Sequence, residues 1–382
     1  MQLRTIRIIH FRNHAETTIE CGSRLNIFTG QNGAGKTNIL DAISYACLTK
    51  SFFGHKDTAA VQVGQDGFSM NADLESDAGV GHRVALTYDA GSAQKRVLLD
   101  RENAPSVSAM VGMFPVVVLA PENREITTGS PAERRRFMDI VLSQASRPYL
   151  EDILEYRRVL RQRNRILGEH RAARTQPGTL LDPWNSALVE WGSRIIRRRS
   201  QFVDEFQPHL AGAFDTLTAR AEEPSIRYRP LEHESMPQPR EAVEEMLRAE
   251  LRRLEFSELR YGTSLAGPHR DELALAINGM DVRRFASQGQ HKTWLIALKL
   301  AEFSYLRDRR KETPLLLLDD VFSELDAMRS EKLFDVVLST GQTFVTTTDE
   351  ERAGRIMSGN GTKSFFVEAG HVAPLETRIG VR

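Results

Sequence analysis

Gly30-Gln31-Asn32-Gly33-Ala34-Gly35-Lys36-Thr37 has the spacing of a phosphate-binding loop. That spacing turns consecutive backbone N–H groups toward one point at the start of a helix, where the helix dipole also favours an anion. Gly30, Gly33 and Gly35 allow the backbone to come close to a phosphate, and Gln31, Asn32 and Ala34 complete the cradle. Lys36 supplies a point charge for β- and γ-phosphates, and the Thr37 hydroxyl is placed to ligate Mg²⁺. The flanks agree. Residues 25–28 read as a short strand ending at Gly30. After the loop, Ile39, Leu40, Ile43, Ala46 and Cys47 recur at helical spacing. Strand, glycine loop and helix in that order set the class: an α/β fold with a parallel or mixed sheet around a nucleotide site.

Two distant stretches extend the site. Residues 315–318 are four leucines, followed by Asp319 and Asp320. A carboxylate at the C-terminal edge of a buried strand is placed to hold Mg²⁺ beside a phosphate loop. Asp320 falls where a general base or water-positioning group belongs. The plain alternative, two aspartates capping a strand, loses force with a phosphate loop upstream. Ser287-Gln288-Gly289-Gln290 comes before them. A helix is expected to begin near Gln290, so its N-terminus, with Ser287 and Gly289, can bind a γ-phosphate. A serine-led Gly-Gln element just upstream of such a strand is similar to the signature by which ABC-type ATPases read the nucleotide of a second subunit. The similarity implies that the chain is half of an ATP-closed homodimer.

Bulk properties narrow the class. The chain has 382 residues, enough for two or three domains; 41% are hydrophobic and 27% charged, as in a globular protein. Net charge is zero, so a nucleic-acid partner has to be met by a local patch. Cys21 and Cys47 are the only cysteines and offer neither a disulfide framework nor metal spacing. Arg4, Arg7 and Arg12 interrupt the apolar start, unlike a signal peptide. No apolar run approaches the roughly 20 residues of a membrane span. A cytoplasmic protein without a membrane partner is expected.

Pattern changes divide the chain into an ATPase head, residues 1–125 and 260–382, and an inserted helical arm, residues 126–259. In the arm, Leu150, Ile153, Leu160 and Leu167 have heptad-like spacing, interrupted by Arg157. A second helix from about Pro183 places Leu188, Trp191, Ile195, Phe202 and Phe206 on one side. The expectation is a short antiparallel coiled coil, with residues 222–239 an irregular, proline-containing connection. Residues 151–200 hold eleven arginines, no lysine and six acids, a local net of +5. Arg157, Arg158, Arg161, Arg163, Arg165, Arg194, Arg197, Arg198 and Arg199 dominate it. Arginine suits phosphate because its planar fork engages two oxygens; the alternative is a solvated face of internal ion pairs. Arg157, Arg161, Arg194, Arg197 and Arg198 are the primary DNA candidates. His55 and Lys56, after the phosphate-loop helix, are a second surface of the same kind.

Further stretches resemble one family. His10-Phe11-Arg12-Asn13-His14 resembles the entry strand of SMC-like repair ATPases. Pro121-Glu122, the run 129–139 (GSPAERRRFMD), Gly267-Pro268-His269-Arg270-Asp271 and the run from Leu315 to Asp326 resemble RecF-family signatures. They lie in order over the full length. The resemblance implies a recombination mediator that binds duplex, gapped and single-stranded DNA and helps RecO and RecR load the RecA recombinase. It implies ATP and Mg²⁺ as ligands, phosphate contacts from Asn32 to Thr37, and Mg²⁺ and catalysis at Asp319 and Asp320. It also implies trans contact from Ser287, Asp326 at the dimer interface, and Arg12 and Asn13 bordering the nucleotide. Asp320 stands where ABC ATPases carry a glutamate, and Thr347-Thr348-Asp349 where many carry a histidine. Both departures point to slow hydrolysis, and the expected activity is a weak, DNA-stimulated ATPase used as a switch. Three rival readings stand beside it: a transporter ATPase subunit, a non-enzymatic scaffold with a vestigial site, and another SMC-like repair ATPase.

Overall fold

Four strands that are buried along their whole length, Leu25–Thr29, Val116–Leu119, Leu315–Asp319 and Thr343–Thr347, lie in one six-stranded sheet. With Thr362–Glu368 they pair in parallel; His371–Pro374 adds an antiparallel edge. Continuous apolar strands are what a sheet covered on both faces requires. The register sets up the site. Asp319 lies opposite Thr346, and Thr346 opposite Phe28, two residues before Gly30. The computed structural model describes residues 1–54, 56–175, 177–218, 222–232, 239–324, 327–348 and 360–375. Its contacts form two units, Met1–Asn123 with Ile296–Arg382, and Arg124–Leu295. No helix among the described residues is long and apolar enough to cross a membrane.

The first unit has a second, antiparallel sheet in the order His14–Glu20, Gln2–Phe11, Gly67–Glu75, Gly81–Asp89, Gln94–Leu99, Glu102–Asn103. The phosphate-loop helix, Lys36–Leu48, shares one core with both sheets: Ile39, Leu40 and Ile43 are buried with Ile6, Ile8, Leu315 and Leu317. Tyr45 meets Phe11 and Phe68 edge-on at 5.4 and 5.5 Å, and its hydroxyl donates to Asp57 at 2.9 Å. Cutting Phe11 back to alanine here would cost about 3–5 kcal/mol, the usual penalty for a buried aromatic.

The second unit is not wholly helical. The expected irregular connection contains a strand, Pro224–Arg229, which pairs antiparallel with Glu272–Ile277. Ile226 and Tyr228 point inward while Ser225 and Arg227 are exposed, a period of two that the flanking prolines conceal in the sequence. Pro224 is tolerated as the first strand residue. This pairing ties Glu272–Ile277 to the second unit, which runs on to Leu295; the sequence reading ended the arm at 259.

Helices Arg147–Ala173 and Asp182–Thr218 run antiparallel: Tyr149 meets Arg199, Asp152 meets Arg194, and Arg163 meets Asn185. Arg157 does not interrupt the seam. Tyr149, Ile153, Tyr156, Leu160, Arg163 and Leu167 follow alternating spacings of four and three, and Arg157 points outward. Arg163 is buried in that seam, 2.5 Å from buried Glu258, with Ser264 at 2.7 Å and Asn185 at 2.8 Å. Replacing Arg163 by alanine should cost about 3–5 kcal/mol, because Glu258 would be left buried and unpaired; urea unfolding measures it.

Candidate functional site

The phosphate loop folds as its glycines dictate. Gly30 and Gly35 have φ of 145° and 112°, closed to residues with a side chain. A Cβ on Gly35 would come within 2.6 Å of the Asn13 amide. Gly35 is also the N-cap of the helix, so the first free N–H groups face the loop. Gln31, Asn32 and Gly33 are exposed, whereas Ala34, Gly35 and Lys36 are buried.

The side chains converge as follows. Lys36 Nζ donates to the carbonyls of Gly30 and Gln31 at 2.6 and 2.8 Å, closing the loop on itself. Burial lowers the lysine's pKa, against the pull of Asp320 and Asp319. The Thr37 hydroxyl donates to both oxygens of Asp319 at 2.8 and 3.0 Å, and Thr346 donates to the same carboxylate at 2.6 Å. Burial pushes the Asp319 carboxyl up, opposed by the Thr346 and Thr37 hydroxyls. Asp320 takes a left-handed backbone, φ 48°, and its N–H donates to Thr346 Oγ1 at 3.0 Å.

Such a set fits Mg²⁺ and a triphosphate. Magnesium takes oxygen ligands and is held by one or two protein groups plus phosphates and water. Thr37 Oγ1 and the Asp319 carboxylate are two such oxygens within 3.0 Å of each other, and a cation would relieve the cost of a buried carboxylate. Among the described residues no cluster of three His, Cys, Asp or Glu forms a separate metal centre.

The apex after strand Gln2–Phe11 straps this loop. Asn13 Nδ2 donates to Ala34 O at 3.0 Å, and its Oδ1 accepts from Asn38 Nδ2 at 2.7 Å. Arg12 pairs with Asp41 at 2.6 Å. Neighbouring His14 is buried, with Nε2 3.1 Å from Gly35 O and Nδ1 3.0 Å from Thr17 Oγ1. A carbonyl only accepts, so Nε2 carries the proton. Burial lowers the His14 pKa, against the carbonyls of Gly35 and Gly370. His14, Asp41 and Thr346 were not among the site residues read from the sequence. Their partners lie up to 29 positions away, and no local pattern assigns them a role.

Ser287 and Gly289 belong to the second unit. Ser287 is exposed just before helix Gln288–Arg310. Its Oγ accepts from Gln290 N at 3.2 Å, and Gln290 Oε1 accepts from Ser287 N at 2.8 Å, a capping box. Among the described residues nothing accepts the Ser287 hydroxyl proton, which an anion could take. Asp326, Asp349 and His55 lie outside the described residues. Thr347 is buried at the end of its strand, and Lys56 is exposed.

The arginine set divides in two. Arg163 and Arg199 are buried and structural: Arg199 binds Asp139 at 2.8 Å, Pro268 O at 2.7 Å and Tyr149 Oη at 3.1 Å. Their buried partners take them out of the set of candidate DNA contacts. Arg157 pairs with Asp139, Arg194 with Glu190 and Arg198 with Glu205, each at 2.8–3.0 Å. Arg161 and Arg197 make no ion pair among the described residues, though Arg161 donates to Arg157 O at 3.3 Å. The two quoted signatures also meet: Arg134 pairs with Glu272 at 2.8 Å, and Arg135 donates to Asp271 O at 2.6 Å.

Comparison with known proteins agrees with this geometry. The RecF/RecN/SMC N terminal domain model matches residues 2–364. The DNA replication and repair protein RecF of Salinibacter ruber is 40% identical over 351 residues, 91% of this chain and 85% of that protein. That of Chloroherpeton thalassium is 40% identical over 362 residues, 92% and 96%. The structure of the recombination mediator protein RecF with ATP in the RecFOR pathway superposes with TM-score 0.90, at 27% identity over 98% of both chains. The Smc head of Pyrococcus furiosus, at 13% identity and TM-score 0.54 over 98% of this chain and 96% of that one, shares the fold. The chain belongs to the RecF family and has the ABC-type ATPase head fold of the RecF/RecN/SMC group.

Proposed function

We propose that the chain is an ATP-dependent DNA-binding protein of recombinational repair and replication, acting in the cytoplasm. Two copies close on ATP into a dimer that clamps DNA at single-strand gaps and junctions. Slow hydrolysis reopens it. On DNA it helps RecO and RecR load the RecA recombinase. The observation that carries the reading is the union of Lys36, Thr37, Asp319 and Asp320 at one loop, in a chain 40% identical to proteins of DNA replication and repair.

The residues have separate roles. Lys36 exchanges the loop carbonyls for β- and γ-phosphate oxygens. Thr37 and Asp319 hold Mg²⁺, which when bound neutralises phosphate charge. Asp320 orients the attacking water. Its carboxylate is one methylene shorter than a glutamate, which supports slow turnover and a switch rather than a motor. Ser287 and Gly289 close the γ-phosphate of the second copy, with Asp326 at the interface. Arg161 and Arg197 contact the DNA backbone; Arg157, Arg194 and Arg198 join them by giving up their acid partners.

Sedimentation with MgATP, MgADP or no nucleotide, each with and without gapped DNA, tests the proposal. A dimer that forms only with ATP and persists on DNA supports it. A monomer under every condition overturns it.

A further inference from the structure

Arg12 is held by more contacts than a β-corner needs. Its backbone is left-handed, φ 53°, an uncommon state for a residue with a long side chain. Nε and Nη2 donate to Asp41 Oδ2 at 2.9 and 2.6 Å, and Nη2 also to Ser51 Oγ at 3.3 Å. The guanidinium lies over the Phe53 ring, 4.9 Å from its centroid. Asp41 is fully buried, and its other oxygen accepts the Ser51 hydroxyl at 2.8 Å and Phe52 N–H at 3.1 Å. Ser51 Oγ in turn accepts Phe53 N–H at 3.2 Å. One buried carboxylate thus fixes both the arginine and the segment that follows the phosphate-loop helix.

Position gives the cluster its meaning. Asp41 follows Thr37 by four residues on the same helix, so the two share a face with Cβ atoms about 5–6 Å apart. Residues 13 and 14, next to Arg12, bind Ala34, Asn38 and Gly35. The arginine is therefore fastened one helical turn from the hydroxyl that meets Asp319. A planar guanidinium there suits a phosphate oxygen, and a fixed one loses less freedom on binding it.

We propose that Asp41 and Ser51 are positioning residues: they hold Arg12 ready for the phosphates of the nucleotide and couple residues 51–54 to the loaded site. The proposal rests on the ATP site proposed above. MgATP affinity, by calorimetry on the full chain, tests it with Arg12→Ala, Asp41→Asn, the double variant, Ser51→Ala and Lys36→Ala, each with a thermal melt. Arg12→Ala and Asp41→Asn should each weaken binding about tenfold, the worth of one charge-assisted hydrogen bond. The double variant should be no weaker than Arg12→Ala alone, because Asp41 acts through Arg12. Ser51→Ala, which keeps the carboxylate, should cost about threefold, and nothing in the Arg12→Ala background; it decides the matter if Asp41→Asn does not fold. Unchanged affinity with a lowered melting temperature would make the cluster a structural strut and overturn the proposal. So would losses that multiply in the double variant. If Lys36→Ala binds MgATP like the parent, the site assignment itself falls.

Discussion

The Thr37 hydroxyl bridges both oxygens of Asp319 at 2.8 and 3.0 Å across 282 positions of sequence. The bond joins the two halves of the first unit at the point where a metal and a phosphate would meet. It also stabilises a carboxylate whose pKa burial raises, so that holding its charge costs folding energy at neutral pH.

Asp319→Asn should therefore separate stability from chemistry. Without nucleotide the variant keeps the acceptor for Thr37, loses the buried charge and should melt no lower than the parent. ATP turnover should fall by at least about 100-fold, since charge stabilisation at the phosphates is lost. Phosphate release and a thermal melt read the two effects. Turnover within about threefold of the parent would remove Asp319 from the catalytic set.

His269, in the Gly267–Asp271 signature, makes the second unit sensitive to acid. It stands 2.6 Å from Tyr156 Oη through Nδ1 and 3.1 Å from Ser264 O through Nε2. Burial, with Arg270, Arg135 and Arg163 nearby, pulls its pKa down to about 4, against the Ser264 carbonyl. In the unfolded chain the value is about 6.5, so between pH 6.5 and 4 the unfolded state binds the extra proton. Stability is then complete above pH 6.5 and falls as pH drops, by about 3 kcal/mol at the lower limit. Denaturant unfolding at several pH values should show this slope in the parent and a flatter one in His269→Leu. The variant should be weaker at pH 8 because Tyr156 loses its acceptor. Parallel profiles would mean that His269 does not titrate on unfolding.

The arm can be tested by salt. Arg161 and Arg197 lack ion pairs among the described residues, whereas Arg158 and Arg165 are 2.8 Å from Glu155 and Glu169. Each lost phosphate contact should flatten the log–log salt slope of duplex binding by about 0.9, hence about 1.8 in a symmetric dimer. Arg161→Ala and Arg197→Ala should do so, and Arg158→Ala and Arg165→Ala should not. Equal slopes for all four, with MgATP present, would move the DNA path off this face.

What the sequence disclosed follows the range of the interactions. The loop Gly30–Thr37 and the strand that ends at Asp319 are local patterns, legible from glycine spacing and a run of leucines. The strand Pro224–Arg229 was not legible, because its two inward residues sit between prolines and its partner begins at Glu272. Arg163 and Arg199 look like their exposed neighbours in an arginine-rich stretch; only the acids at 258, 139 and 271 show that they are buried. His14 and Asp41 stayed hidden for a related reason. Asp41 lies inside an apolar helix pattern, and its partners Arg12 and Ser51 come from two other segments.

Ser287 separates a structural role from a binding one. As the N-cap of helix Gln288–Arg310 it contributes about 1 kcal/mol, the typical value of such a cap. Ser287→Arg should remove that and lower the melting temperature slightly. In the proposed dimer the same change would drive a long cation into the space where the hydroxyl would meet the second copy's γ-phosphate. On the proposed trans role of Ser287, the ATP-dependent dimer should therefore vanish in sedimentation, while monomers bind MgATP as the parent does. Ser287→Ala should show the loss of the cap alone, with a weakened dimer. A variant that dimerises normally with ATP would place the γ-phosphate contact elsewhere. One that loses ATP binding as well would mean that Ser287 serves its own chain's nucleotide.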